Sequence, residues 1–148
     1  LTDPIEFGPS FPLFTQEYFQ KIRQILSPNG VFIIQAGSIS PAKMYLHVRV
    51  LKTLQSVFNY AHSVKAYSTS YGCSLGFVIA SEQELSSTPN PETVDLLLAE
   101  KTIGGLKVMD GISLLGMLQI PLNIRQAIAT ETQIYTLKAP PKSIQISD

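Results

Sequence analysis

The sequence predicts an α/β fold that ends in an antiparallel hairpin, and three observations predict it. Segments with apolar residues at helical spacing alternate with short β-branched and aromatic runs, the pattern of helices laid against a sheet. Val31-Phe32-Ile33-Ile34 is continuously apolar, as in a parallel-sheet strand buried on both faces. Two strand-like segments, His62 to Tyr71 and Leu75 to Ala80, are bridged by the short, glycine-containing stretch Ser70 to Ser74, which favours antiparallel pairing.

The elements follow in order. Pro4, Pro9 and Pro12 lie in the first fourteen residues; each lacks an amide donor and fixes its own φ, so this stretch reads as a stiff loop. Thr15 is expected to cap a helix running to about Leu26, with Glu17 in its first turn. Phe19, Ile22, Ile25 and Leu26 supply its apolar stripe, and Ser27-Pro28-Asn29-Gly30 stops it. After the strand Val31 to Ile34, Gln35 to Ser38 reads as a loop. Ser40 and Pro41 then open a second helix, with Met44, Val48, Leu51, Leu54 or Gln55, and Phe58 inward. The hairpin follows, and then a polar loop over 81–90. Asn90, Pro91 and Glu92 carry the start signals of a third helix reaching about Lys101, ended by Gly104-Gly105. Leu106 to Gly111 reads as a short strand and turn. Pro121 opens a last helix to about Thr130, with Ile124, Ala127 and Ile128 inward, and Ile134 to Leu137 reads as a terminal strand. A frayed tail is expected over 139–148. This order is that of the second half of a Rossmann-like sheet, of the class I methyltransferase type, with flanking helices.

Composition bounds the function. The 148 residues, 45% of them apolar, suffice for one folded unit with a core. Eleven basic and eleven acidic residues cancel, and no basic stripe is present, so nucleic acid is not an expected partner. No apolar run approaches the ~20 residues of a membrane span. The single cysteine, Cys73, has no evident local base and reads as a packed thiol in a reducing, cytoplasmic compartment. His47 and His62 are fifteen residues apart without cysteine partners and make no metal site; both read as surface or supporting histidines. The chain opens without Met, where a strand should just have ended. It is therefore read as one partial domain, 1–148, whose N-terminal segment is a missing partner.

In open α/β sheets, ligands bind beyond the carboxyl ends of the strands. Three segments converge there: the Asp3 to Phe14 loop, Gln35 to Ser38, and Tyr67 to Tyr71. They offer a carboxylate for an ammonium group, an amide, and aromatic rings for methylene groups or for the charge itself. Taken singly, Asp3 shapes its turn, Gln35 satisfies backbone at a strand end, and Tyr71 packs in the hairpin. Their shared edge is what makes them a candidate site. Phosphate binding is disfavoured, since no glycine-rich loop or lysine stands at a helix start.

The ordered set Thr2-Asp3-Pro4, Gly8-Pro9, Leu13-Phe14, Tyr18-Phe19, Gly30-Val31 and Gln35-Ala36-Gly37 resembles the polyamine aminopropyltransferases, the spermidine synthase family. The spacing between Pro4 and Gly8-Pro9 is closer to the thermospermine synthase branch. Leu106-Lys107, Asp110-Gly111, Gly116-Met117, Ile120-Pro121 and Ile124 to Ile128 resemble the family's C-terminal end. The likeness covers only the second half of the catalytic domain. It implies a transferase of polyamine biosynthesis. An aminopropyl group passes from decarboxylated S-adenosylmethionine, a co-substrate rather than a cofactor, to putrescine or a related polyamine, releasing methylthioadenosine. The resemblance implies that Asp3 and Gln35 bind the amine, that Tyr71 joins them, and that Gly8 and Pro9 lie on the donor-adenine side. The expected base falls just before Leu1, so no catalytic residue and no metal ligand is assigned within the chain. The hairpin is one residue shorter than the family's and lacks its flanking proline, and Leu114 stands where a histidine is common. The donor-binding half is absent, and the chain by itself is expected to be inactive. Two other readings are open: an S-adenosylmethionine-dependent methyltransferase-like domain, which Gln35-Ala36-Gly37 and Gly8-Pro9 disfavour, and a non-catalytic module forming a homo-oligomer through the Val31 to Ile34 edge.

Overall fold

In a computed structural model, residues 10–139 are described. Asp3, Gly8 and Pro9, and all of the expected tail except Ala139, lie outside the described residues. The fold is α/β, with helices flanking a three-stranded sheet. After a 3₁₀ turn, Phe11–Phe14, come α1 (Gln16–Ile25), β1 (Val31–Ser38), α2 (Tyr45–Gln55), β2 (Tyr60–Ser68), β3 (Cys73–Ser81), α3 (Pro91–Lys101), α4 (Gly111–Leu118) and α5 (Leu122–Thr130).

The sheet order is β1-β3-β2, and both pairings are antiparallel. The expected hairpin is β2–β3. Ser68 opposes Cys73, leaving a four-residue turn in which Gly72 takes a φ of 61°, a left-handed conformation suited to glycine. The return strand β3 lies between β2 and β1, so β1 and β2 run in the same direction.

One face of this sheet is the core. Phe32 and Ile34 of β1, Ala61 of β2, and Val78 and Ala80 of β3 pack against Phe19 of α1 and Val50, Leu51 and Leu54 of α2. The aromatic rings continue across it, with Phe32 stacked on Phe58 at 6.4 Å and tilted against Phe19 at 5.9 Å. The opposite face is open at β1, where Val31 is 51% and Ile33 58% exposed. That corrects the expectation of a strand buried on both faces: among the described residues, neither this face nor the outer edge of β1 is covered.

Tertiary contacts reset several element boundaries. Thr15 stands at the N-terminus of α1, but its hydroxyl donates to the Pro12 carbonyl at 2.7 Å, and the Gln16 amide is met instead by the Tyr135 carbonyl at 2.8 Å. Ile25, expected in the inner stripe, is 80% exposed. Ser40 does not cap α2. Its hydroxyl pairs with that of Ser38 at 2.9 Å, residues 40–43 form a turn, and the helix starts at Tyr45. Gln55, one of two alternatives for the inner face of α2, is exposed, and Leu54 is buried. Asn90 does cap α3, accepting from the Thr93 amide at 3.0 Å.

Residues 106–111 are not a strand. Asp110 caps the unforeseen α4, its Oδ1 accepting from the Ser113 amide at 2.7 Å. Residues 134–137 pair with no described strand either and form a strap instead. The Tyr135 amide donates to Thr53 Oγ1 at 2.9 Å, and the Leu137 amide donates to the Glu17 carboxylate at 3.1 Å. Between them Tyr135 is buried in the core. No described helix is long and apolar enough to cross a membrane.

Candidate functional site

The site is built at the hairpin end of the open sheet face. Gln35 belongs to β1, not to a loop following it, which corrects the sequence reading of 35–38. The run stays extended because β3 offers partners beyond Ile34: Gln35 opposes Phe77 and Ser38 opposes Leu75. The register shifts between these two pairs, and Gly37 takes a φ of 83°. A bulge of this kind twists a strand locally and re-aims the side chains beside it.

Directly opposed residues present side chains on the same face. Phe77 opposes Gln35 on one side and Val64 on the other, so amide, ring and valine form a row across the sheet. Leu75, two residues along β3 and opposed by Ala66, extends the same face. Gln35, Leu75 and Phe77, together with residues 66–69 and Tyr71, line a cleft of about 370 Å³. Gln35 and Tyr71, two residues singled out from sequence, thus meet in one cavity. Tyr71 sits in the hairpin turn and is 58% exposed. The segment expected to bring Asp3 to this edge lies outside the described residues up to Pro9; Phe14, at its end, is in the core.

The described lining of the cleft contains no charged side chain. It supplies an amide, hydroxyls from Ser68, Thr69 and two tyrosines, and the apolar surfaces of Ala66, Leu75 and Phe77. Such a lining can hydrogen-bond neutral groups and pack on carbon chains. It cannot neutralise a buried ammonium.

Under the cleft, on the core side of β3, lies one of the two histidines read as surface or supporting residues, and the structure rules out the surface alternative for it. His47 is fully buried. Its Nε2 is 2.6 Å from Ser63 Oγ, while Nδ1 has no partner among the described residues. Its ring lies against Gly76, where an added Cβ would stand 2.3 Å from Nδ1 and 2.6 Å from Ile39 Cγ2. Burial lowers the His47 pKa to about 4, so the imidazole is neutral at pH 7. It is a packing residue beneath the sheet strand that carries Phe77. His62 is half-buried, its Nε2 donating to the Leu85 carbonyl at 2.8 Å. Cys73 stands half-buried at the base of the hairpin, and Leu114 half-buried in α4. Among the described residues, no group of three or more His, Cys, Asp or Glu is placed to hold a metal ion.

Sequence reasoning missed Phe77, Leu75 and Ala66 as parts of the site. The signal that finds them is strand register: once Gln35 is paired across the sheet, its neighbour on the same face is fixed.

Residues 1–90 match the family model described as the spermine/spermidine synthase domain, a span that contains Asp3, Gly8, Pro9, Gln35 and Tyr71. The polyamine aminopropyltransferase of Synechococcus sp. (strain JA-2-3B'a(2-13)) is 44% identical over 145 residues, covering 96% of this chain and 46% of that protein. Thermospermine synthase ACAULIS5 of Arabidopsis thaliana is 31% identical over 141 residues, covering 92% and 40%. The chain thus spans less than half the length of these curated relatives. Among solved structures, the spermidine synthase from Thermotoga maritima aligns with a TM-score of 0.64 at 18% identity, over 84% of this chain and 41% of that one. A spermidine synthase in complex with the transition state analogue AdoDATO aligns at 0.62 and 18%, over 80% and 39%. Both support the fold.

Proposed function

The chain belongs to the spermine/spermidine synthase family, and on that premise we propose that it is the acceptor-side, C-terminal portion of an aminopropyltransferase catalytic domain acting in polyamine biosynthesis in the cytoplasm. The observation that carries this reading is the meeting of Gln35 and Tyr71 in one cleft. The reaction is transfer of an aminopropyl group from decarboxylated S-adenosylmethionine to putrescine or a related polyamine. The attacking nitrogen must be unprotonated, so a carboxylate has to accept its proton. On this reading, that base is supplied just before Leu1. Asp3 pairs with the remote ammonium, Gln35 hydrogen-bonds the amine, and Tyr71 closes the pocket. Gly8 and Pro9 border the adenine of the donor. The neutral lining of the cleft fits this division of labour, because the counter-charge then comes from Asp3, outside it.

An N-terminal segment carrying the donor site completes the enzyme. The edge of β1, which no described strand pairs, and the exposed Val31 and Ile33 support its docking there. The same surface supports a homo-oligomer.

The test is an aminopropyl-transfer assay with decarboxylated S-adenosylmethionine and putrescine or spermidine, following methylthioadenosine. The chain is assayed alone and mixed with the N-terminal half of the Synechococcus relative. No release alone and release on mixing is the expected result. Release by the chain alone would overturn the assignment of the base. No release on mixing, with the two halves shown to associate, would overturn the proposed activity.

A further inference from the structure

Resting on the reading of this cleft as an amine site, we propose that Phe77 is its specificity-determining residue, the floor on which the carbon chain of a bound amine lies. Phe77 is half-buried, yet it belongs to neither of the buried apolar clusters described, whereas Phe14, Phe19, Phe32 and Phe58 all pack in or against the main one. Those rings serve the core face. Phe77 is turned to the other face by register, between Gln35 and Val64.

The described lining of the cleft is neutral. An ammonium buried against it would meet no counter-charge from those residues, which is costly. A chain of methylenes meets the ring of Phe77 and the side chains of Leu75 and Ala66, with its nitrogens at the rims. Gln35 borders the cleft from β1, and Thr69 and Tyr71 border it from the hairpin turn. Discrimination between amines then follows from how much carbon chain lies on the ring. Each fully buried methylene is expected to tighten binding about threefold to fourfold.

The experiment is an NMR shift titration of the 148-residue chain with unbranched α,ω-diaminoalkanes of increasing length. The expected result is binding that tightens with each added methylene until the chain outgrows the cleft, with shifts at Gln35, Tyr71 and Phe77. Phe77→Ala is expected to abolish the length dependence while Gln35 still shifts. Phe77→Leu, which keeps an apolar strand residue, is expected to weaken it, and replaces the alanine variant if that one does not fold. A length dependence unchanged by substitution overturns the role of Phe77 and leaves the amine site standing. Absence of shifts at Gln35 and Tyr71 in the wild-type chain overturns the amine site, and the role of Phe77 with it.

Discussion

Acidification should destabilise this fold through His47 in particular. The ring is fully buried, one of its nitrogens has no partner among the described residues, and burial lowers its pKa from 6.5 to about 4. In the unfolded chain the imidazole takes up a proton as the pH falls below about 6.5, whereas in the folded protein it does so only near 4. Between those values the unfolded state binds more protons, so stability falls as the pH falls. At about 1.4 kcal/mol per pH unit, the gap between 6.5 and 4 amounts to ~3 kcal/mol. That is a large share of the stability of a small domain. Urea unfolding of the wild type and of His47→Gln at a series of pH values from 7 to 4 measures it. Carboxylates contribute to both proteins alike, including Glu131, whose pKa is lowered against the burial effect by hydrogen bonds from the Gln133 amide and Arg49; the difference between the two curves therefore isolates the ring. The variant is expected to be less stable at pH 7 but to lose ~3 kcal/mol less than the wild type on reaching pH 4. Ser63→Ala should keep the wild-type slope, because the cause is burial rather than the 2.6 Å contact. Parallel curves for wild type and His47→Gln would refute the reasoning.

Three further outcomes are expected. Gly76→Ala should cost ~1–3 kcal/mol, because its Cβ would meet His47 Nδ1 at 2.3 Å and Ile39 Cγ2 at 2.6 Å within a packed interior; thermal unfolding checks it, and an unchanged Tm would mean that the ring moves aside freely. Thr53→Val keeps the shape but removes the acceptor of the buried Tyr135 amide, so ~1–3 kcal/mol should be lost and that amide should exchange faster with solvent; unchanged exchange would mean the strap is held elsewhere. Asp3→Asn, in the chain complemented by an N-terminal half, should raise the amine KM or lower kcat by roughly tenfold or more through loss of the counter-charge; wild-type kinetics would remove Asp3 from the site.

Much of the fold was legible because local chemistry and tertiary need agree. Asn90 and Pro91 start α3 in the sequence and in the structure, since a side-chain cap and a fixed φ act within one turn. The hairpin was legible for the same reason: its turn needs a left-handed residue and Gly72 supplies it. Elsewhere the signal was ambiguous. Thr15 and Ser40 have the residue type of caps, yet their hydroxyls are claimed by Pro12 and Ser38. The apolar run 134–137 has strand composition, but its amides are met by Thr53 and Glu17 rather than by a neighbouring strand.

The sequence by itself determined the family and the residue types at the candidate site, because ordered motifs such as Gln35-Ala36-Gly37 and Gly8-Pro9 are properties of the linear chain. It also determined most helix positions, because amphipathic spacing and capping are local. Only the tertiary structure decided that Gln35 lies within a strand, that Phe77 stands beside it, and that His47 is buried beneath Gly76. Those facts depend on register, which joins residues tens of positions apart, and a slip of one position would turn each side chain to the other face.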